Sequence, residues 1–126
     1  MAAQEFSVRR TDAADWREVR DLRLEMLDDT PIGFAERLES ARITSEEEWR
    51  VRAVRGQNPR GIALAAITAE GRWVGTMGGY IPDARTGPLL VGVYVSPDFR
   101  GREAGVTDAL LAAVEEWASA YGSTLT

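Results

Sequence analysis

The sequence contains no cysteine and no histidine. Without cysteine there is no disulfide framework and no thiolate nucleophile. Without histidine the commonest general base is missing, and with both absent no ordinary zinc site can be built. No metal is expected. Apolar runs stop well short of the roughly 20 residues that span a bilayer. The start, Met1-Ala-Ala-Gln-Glu5, has neither the basic nor the apolar stretch of a signal peptide. No membrane partner is expected, and the cytoplasm is the expected compartment. Positive charge is in the minority: 15 basic residues against 20 acidic ones leave a net charge of -5. That argues against a nucleic-acid partner, which would need a basic face. It is compatible with a cationic or amine-bearing partner, and equally with plain solubility.

What is present fits one domain over residues 1–126, with 44% apolar and 28% charged residues. Phe6 to Arg10 alternates apolar and polar and predicts a first strand. Thr11-Asp12 offers an N-cap, and Trp16, Val19, Leu22, Met26 and Leu27 recur at helical spacing up to Asp28, before Pro31. Residues 32–43 read as a loop with a helical turn. Ser45-Glu-Glu-Glu48 is a capping box opening a helix to about Val54. The four tryptophans, Trp16, Trp49, Trp73 and Trp117, are expected to serve as core or part-buried anchors.

Three strands follow. Ile62 to Thr68 is almost continuously apolar. The turn Glu70-Gly71 makes Arg72 to Ile81 its antiparallel partner. Gly75, Gly78 and Gly79 in that second strand predict a bulge or a close approach by another backbone. Leu89 to Ser96 predicts a fourth, buried strand. A long amphipathic helix then starts near Gly105, its stripe running through Val106, Ala109, Leu110, Ala113, Val114, Trp117 and Tyr121, with Gly122 as C′. Ser123 to Thr126 reads as the start of a fifth strand.

The stretch joining the fourth strand to this helix carries the chemistry. Arg100-Gly-Arg-Glu-Ala-Gly105 is a polar turn that ends where the free N–H groups of a helix begin. From Gly101 to Val106 such a turn supplies several inward N–H donors, and the helix dipole adds attraction for a phosphate. Arg100 and Arg102 can add charge. The P-loop pattern fails because no Gly-Lys-Ser/Thr follows. The dinucleotide pattern fails because G-x-G-x-x-G is missing and the preceding strands read as antiparallel.

Val95-Ser-Pro97, then Arg100 and Gly105 in the spacing [Q/R]-x-x-G-x-[G/A], then Ala109-Leu-Leu111, resemble the acyl-CoA turn of the GNAT N-acetyltransferase superfamily. The element order, β-α-α-β-β-β-α, matches from Phe6 onward. The resemblance implies an α/β (α+β) fold: a GNAT-like mixed sheet whose first four strands are mainly antiparallel and flanked by helices. It also implies that a C-terminal β-α-β-β portion is missing. The chain is therefore expected to be a C-terminally incomplete acetyltransferase domain. A homodimer or a strand-completing partner chain is the other way to fill that gap, since a bare strand edge recruits partners; a minimal form of the family is a third reading.

The resemblance further implies acetyl-CoA as cosubstrate and direct transfer of the acetyl group to a primary amine of a small molecule or protein. Backbone groups of Val93, Tyr94 and Val95 would bond the pantetheine amides, and one N–H among them would meet the oxyanion. The pyrophosphate would lie on Arg100, Gly101, Arg102, Glu103, Ala104, Gly105 and Val106. Glu103 departs from the family pattern, which has glycine there. A carboxylate facing the pyrophosphate is repulsive. Facing outward it is harmless, provided the backbone does not need positive φ. The acid and base roles are poorly written. Glu36 and Glu39 lie near the expected acceptor side, with Tyr80 and Tyr94 as further candidates. The alternative function is a non-catalytic acyl-CoA-binding or protein-interaction module.

Overall fold

The computed structural model describes residues 5–30, 37–55, 60–81, 85, 88–100 and 105–120. Strand β1 (Phe6–Arg10) leads through a single 3-10 turn, Ala13–Asp15, into α1 (Trp16–Asp29). The short α2 (Leu38–Arg42) and then α3 (Glu46–Val54) follow. Strands β2 (Gly61–Thr68), β3 (Trp73–Tyr80) and β4 (Leu89–Val95) complete a four-stranded sheet in the order β1-β2-β3-β4. Every pairing in it is antiparallel. A second 3-10 turn, Pro97–Phe99, precedes α4 (Val106–Ser119).

The helix starts follow from their caps. Asp12 and Asp15 form a reciprocal capping box, the Asp12 side chain accepting from Ala14 N at 2.9 Å and the Asp15 side chain from Asp12 N at 2.9 Å. Asp15 also takes both guanidinium arms of Arg9, at 2.8 and 2.9 Å. That pair holds the end of β1 against the start of α1. Ser45 accepts from Glu48 N and opens α3 as its sequence predicts. Buried Thr11 stitches three elements, its N–H donating to Ala63 O at 3.0 Å and its hydroxyl to Ala53 O at 2.8 Å.

Period-2 alternation divides the sheet's side chains between two layers. On one face Ile62, Leu64, Ala66, Val74, Met77 and Val95 pack against Val106, Leu110, Val114, Trp117 and Ala118 of α4. Val106, Leu110 and Val114 are fully buried. Each such burial stabilises the fold by roughly 1.5–3 kcal/mol. On the other face Leu22 and Met26 of α1 meet Tyr94 and half-buried Trp73, while Trp16, Leu27, Ala41, Trp49 and Ala53 form a cluster among α1, α2 and α3. The α4 stripe is the predicted one as far as Trp117, and Ala118, outside the predicted stripe, is buried with it; Tyr121, Gly122 and the expected fifth strand at 123–126 lie outside the described residues.

Two details differ from the sequence reading. The glycines of β3 make room for the α4 side chains as well as for backbone. A Cβ on Gly79 would stand 2.8 Å from the Trp117 ring, and one on Gly75 would stand 2.9 Å from Val106 Cγ1; one on Gly78 would meet Ile62 O at 3.0 Å. The sheet's bulges lie beside these glycines. Against β2, β3 carries an extra residue at Val74, since Ala66 pairs Gly75 while Ile67 pairs Trp73. Against β3, β4 carries the extra residue, since Thr76 pairs Tyr94 while Gly78 pairs Val91. Nor is β4 buried throughout: Leu90, Val91 and Val93 are 37–40% exposed. Its side away from β3 pairs with no strand among the described residues.

Candidate active site

The bulge of β4 falls at Gly92 and Val93, two residues facing Met77 alone. Gly92 has φ +59, the left-handed region that glycine enters without a Cβ penalty. A bulge leaves backbone groups out of the ladder and turns the strand. The predicted backbone contacts Val93, Tyr94 and Val95 therefore follow directly on a break in the pairing. Val93 is exposed, whereas Tyr94 and Val95 are buried on opposite layers.

Beyond β4 the chain turns at Pro97–Phe99 and reaches Gly105, which has φ +72 and is the N-cap of α4. No side chain caps that helix. Its first-turn N–H groups, from Val106 on, thus lack the side-chain acceptor that most helix starts carry. The arrangement is the one a pyrophosphate needs. Gly101, Arg102, Glu103 and Ala104 lie outside the described residues.

Arg100 is a clasp for this turn. Its Nε donates to Val95 O at 2.8 Å, one Nη donates to Asp29 Oδ2 at 2.6 Å, and the guanidinium lies 5.6 Å from the centre of the Tyr94 ring. The hydrogen bond from Arg100 holds the Asp29 carboxyl below the usual range. A second clasp, Arg72 to Asp98 at 2.6 and 3.0 Å, fastens β3 to the same turn.

A residue that sequence reasoning missed stands beneath both. Glu25 of α1 accepts from the Tyr94 hydroxyl at 2.7 Å and from the Ser96 hydroxyl at 2.5 Å, both on Oε2. Ser96 is fully buried and Tyr94 nearly so. Burial, and then the hydrogen bond to Glu25, raise the Tyr94 phenol well above its ordinary pKa. Tyr94 is thus a neutral phenol whose proton is committed to Glu25. The available signal was a carboxylate adjoining the apolar stripe of α1, between Leu22 and Met26.

A cleft of about 880 Å³ opens on the α1–α3 face of the sheet. It runs from Arg55 and Arg60 to Val91 and Gly92 at the bulge, with Leu22, Met26, Ala63 and Trp73 in its lining. Tyr80, 44% exposed, stands in its wall. Glu39 is exposed on α2 and is not part of the lining; Glu36 lies outside the described residues. Among the described residues no group of carboxylates is arranged to hold a metal ion.

The family model described as Acetyltransferase (GNAT) family matches residues 16–125, and the chain belongs to that family. Its fold is shared by PaiA N-acetyltransferase from Thermoplasma acidophilum, solved in complex with coenzyme A: TM-score 0.73, 21% identity, covering 94% of this chain and 74% of that one. A predicted acetyltransferase from Clostridium acetobutylicum, solved with acetyl-CoA, gives TM-score 0.68 at 16% identity, over 97% and 79% of the two chains. Glucosamine-6-phosphate N-acetyltransferase from Arabidopsis thaliana gives 0.66 at 15%, over 97% and 80%. No sequence among the curated proteins matches the chain significantly.

Proposed function

We propose that the chain is an acyl-CoA-dependent N-acetyltransferase that moves acetyl from acetyl-CoA directly to a primary amine of a small molecule or a protein. Family membership supports acyl transfer as the class of reaction. The observation that carries the reading in this chain is the path along β4. The edge of β4, bulged at Gly92 and unpaired on its outer side among the described residues, is followed by the turn Pro97–Phe99 and, behind Gly105, by a helix start that no side chain caps. An extended pantetheine arm fits such an edge as an added strand would. Its pyrophosphate then falls on the first-turn amides of α4. Acetyl-CoA supplies the activated thioester.

The chain's own groups have defined tasks in this reading. The amides around the bulge, Val93 to Val95, meet the oxyanion that develops on the carbonyl. Arg100 fixes the turn through Val95 O and Asp29, leaving the backbone to hold the phosphates. Glu25 is a positioning residue, tying α1 to Tyr94 and Ser96 at the foot of that turn. The attacking amine comes from the cleft, which reaches Val91 and Gly92. It must arrive neutral and close to the carbonyl. A cytoplasmic enzyme drawing on free acetyl-CoA fits this picture. Among the described residues no helix is long and apolar enough to cross a membrane.

Isothermal titration with acetyl-CoA tests the proposal. Saturable binding that is lost in Gly105→Val supports it, because a β-branched side chain at φ +72 distorts the helix start. No heat at millimolar ligand overturns it. One observation favours the alternative of a non-catalytic acyl-CoA-binding or interaction module: no described carboxylate lines the cleft to serve as base. Turnover with any amine excludes that alternative.

A further inference from the structure

Electrostatically the cleft is the inverse of the chain. The protein carries a net charge of -5. Yet four arginines, Arg23, Arg52, Arg55 and Arg60, line the cleft, with no aspartate or glutamate among its described residues. They come from four places in the fold: α1, α3, the C-cap of α3 and the residue before β2. Arg52 is shared with Glu48 at 3.5 Å and lies 4.5 Å from the Trp49 ring centre, Arg23 reaches Met26 Sδ at 3.4 Å, and Arg60 is engaged as well, so part of the cleft's charge is answered within the fold.

The neutral polar groups are largely spent within the fold. Thr11 and Thr76, also in the lining, already donate their hydroxyl protons to Ala53 O and Leu64 O. Trp49 Nε1 is the buried side-chain donor left without a partner among the described residues, and Trp49 too lines the cleft. The anion-seeking character of the lining therefore rests on its arginines. Low-dielectric walls bearing one sign of charge focus the field and concentrate ligands of opposite sign. All fifteen cationic residues of this chain are arginines, whose planar forks match carboxylate and phosphate in two-point fashion.

We propose that the acceptor is an amine that also bears an acidic group, carboxylate or phosphate, seated against Arg55 and Arg60 with its amine toward Gly92. This rests on the acetyltransferase reading above. A bare ammonium ion is repelled by four guanidinium groups. An amine carrying its own anion is attracted, and the cationic surroundings lower the pKa of its ammonium. The neutral amine needed for attack is thereby favoured without a carboxylate base in the cleft. The apolar lining of Leu22, Met26, Ala63 and Trp73 accommodates an apolar or ring-shaped body between the two ends. Arg60, just before β2, lies two strand spacings from β4, roughly 10 Å across the sheet, with a further offset along the strands because Gly61 is level with Tyr80 and Leu89 rather than with Gly92.

Matched pairs of acceptors decide it: 4-(aminomethyl)benzoate against benzylamine for a carboxylate, and glucosamine 6-phosphate against glucosamine for a phosphate. Initial rates at saturating acetyl-CoA should favour an acid-bearing member at least tenfold in kcat/KM. Arg55→Gln and Arg60→Gln, both at exposed positions, should each erase most of that preference by raising the acceptor KM while leaving acetyl-CoA affinity unchanged. Neutral members, or the polycation spermidine, used as well as or better than the acidic ones overturn the inference. Calorimetry of the same acceptors without acetyl-CoA separates the two readings. If acetyl-CoA neither binds nor turns over, the acetyltransferase reading fails. The cleft is then still judged by whether acid-bearing amines bind and lose affinity in the arginine variants; no binding, or binding unaffected by them, overturns it.

Discussion

Removing the Glu25 carboxylate leaves two buried hydroxyls, those of Tyr94 and Ser96, without their acceptor. An unsatisfied buried donor costs about 1–3 kcal/mol, and hydrogen bonds to a charged group lie toward the top of that range. Both hydroxyls can rotate in search of another oxygen, so Glu25→Ala should destabilise by about 2–4 kcal/mol. Glu25→Gln keeps an oxygen able to accept both protons and loses only the charge, at about 1 kcal/mol. Urea unfolding followed by tryptophan fluorescence reads the difference as a shift in midpoint at constant m. Combining Glu25→Ala with Tyr94→Phe should cost less than the sum of the two, because they remove one shared interaction. Acetyl-CoA affinity should fall more in Glu25→Ala than in Glu25→Gln if the clasp positions the turn. Equal stability of the two variants, or strict additivity with Tyr94→Phe, would refute the clasp.

Other outcomes follow from the same geometry. The Tyr94 phenol is raised above the ordinary tyrosine value near 10, so the folded state holds its proton more tightly than the unfolded one. Its contribution is complete below about pH 10 and is lost as pH rises beyond that, so Tyr94→Phe should show a flatter alkaline limb in Tm against pH. Asp15 titrates low, chiefly through its hydrogen bond from Arg9, and contributes stability above about pH 4 that disappears on acidification. Asp15→Asn should flatten the acid limb and cost about 1 kcal/mol at neutral pH, read by thermal melts. Gly79→Ala should lower Tm by about 3–10 °C through the clash with Trp117, a cost of about 1–3 kcal/mol. At Gly105 no described residue crowds a Cβ while φ +72 resists one, so Asn, tolerant of the left-handed region, should outperform Ala there but not at position 79.

Features written in consecutive residues were legible in the sequence. The alternation of Phe6 to Arg10, the Ser45 cap and the Val106-to-Trp117 stripe each specify a local structure, and each element forms where its pattern lies. Gly105 was legible as well, since a glycine at a strand-to-helix turn has one common use. Features assembled from distant segments were not legible. Glu25 looks like an ordinary helix-surface acid until β4 sets Tyr94 and Ser96 above it, about 70 residues later in the chain. Apart from Arg52 and Arg55, three apart at the end of α3, the cleft arginines share no spacing, because three separate segments deliver them. The β4 bulge was hidden for a related reason. Gly92 announces it only once the pairing with β3 is known, whereas the glycines of β3 serve mainly to admit Trp117 and Val106.

Release of coenzyme A thiol tests acetyl transfer most directly, and the cysteine-free chain contributes no thiol of its own. With acetyl-CoA and an acid-bearing amine, one thiol should appear for each acetylated amine found by mass spectrometry. The rate should saturate in both substrates and vanish in Gly105→Val. Tight acetyl-CoA binding with thiol release no faster than in protein-free controls, across the whole amine panel, would contradict catalysis and leave a binding module.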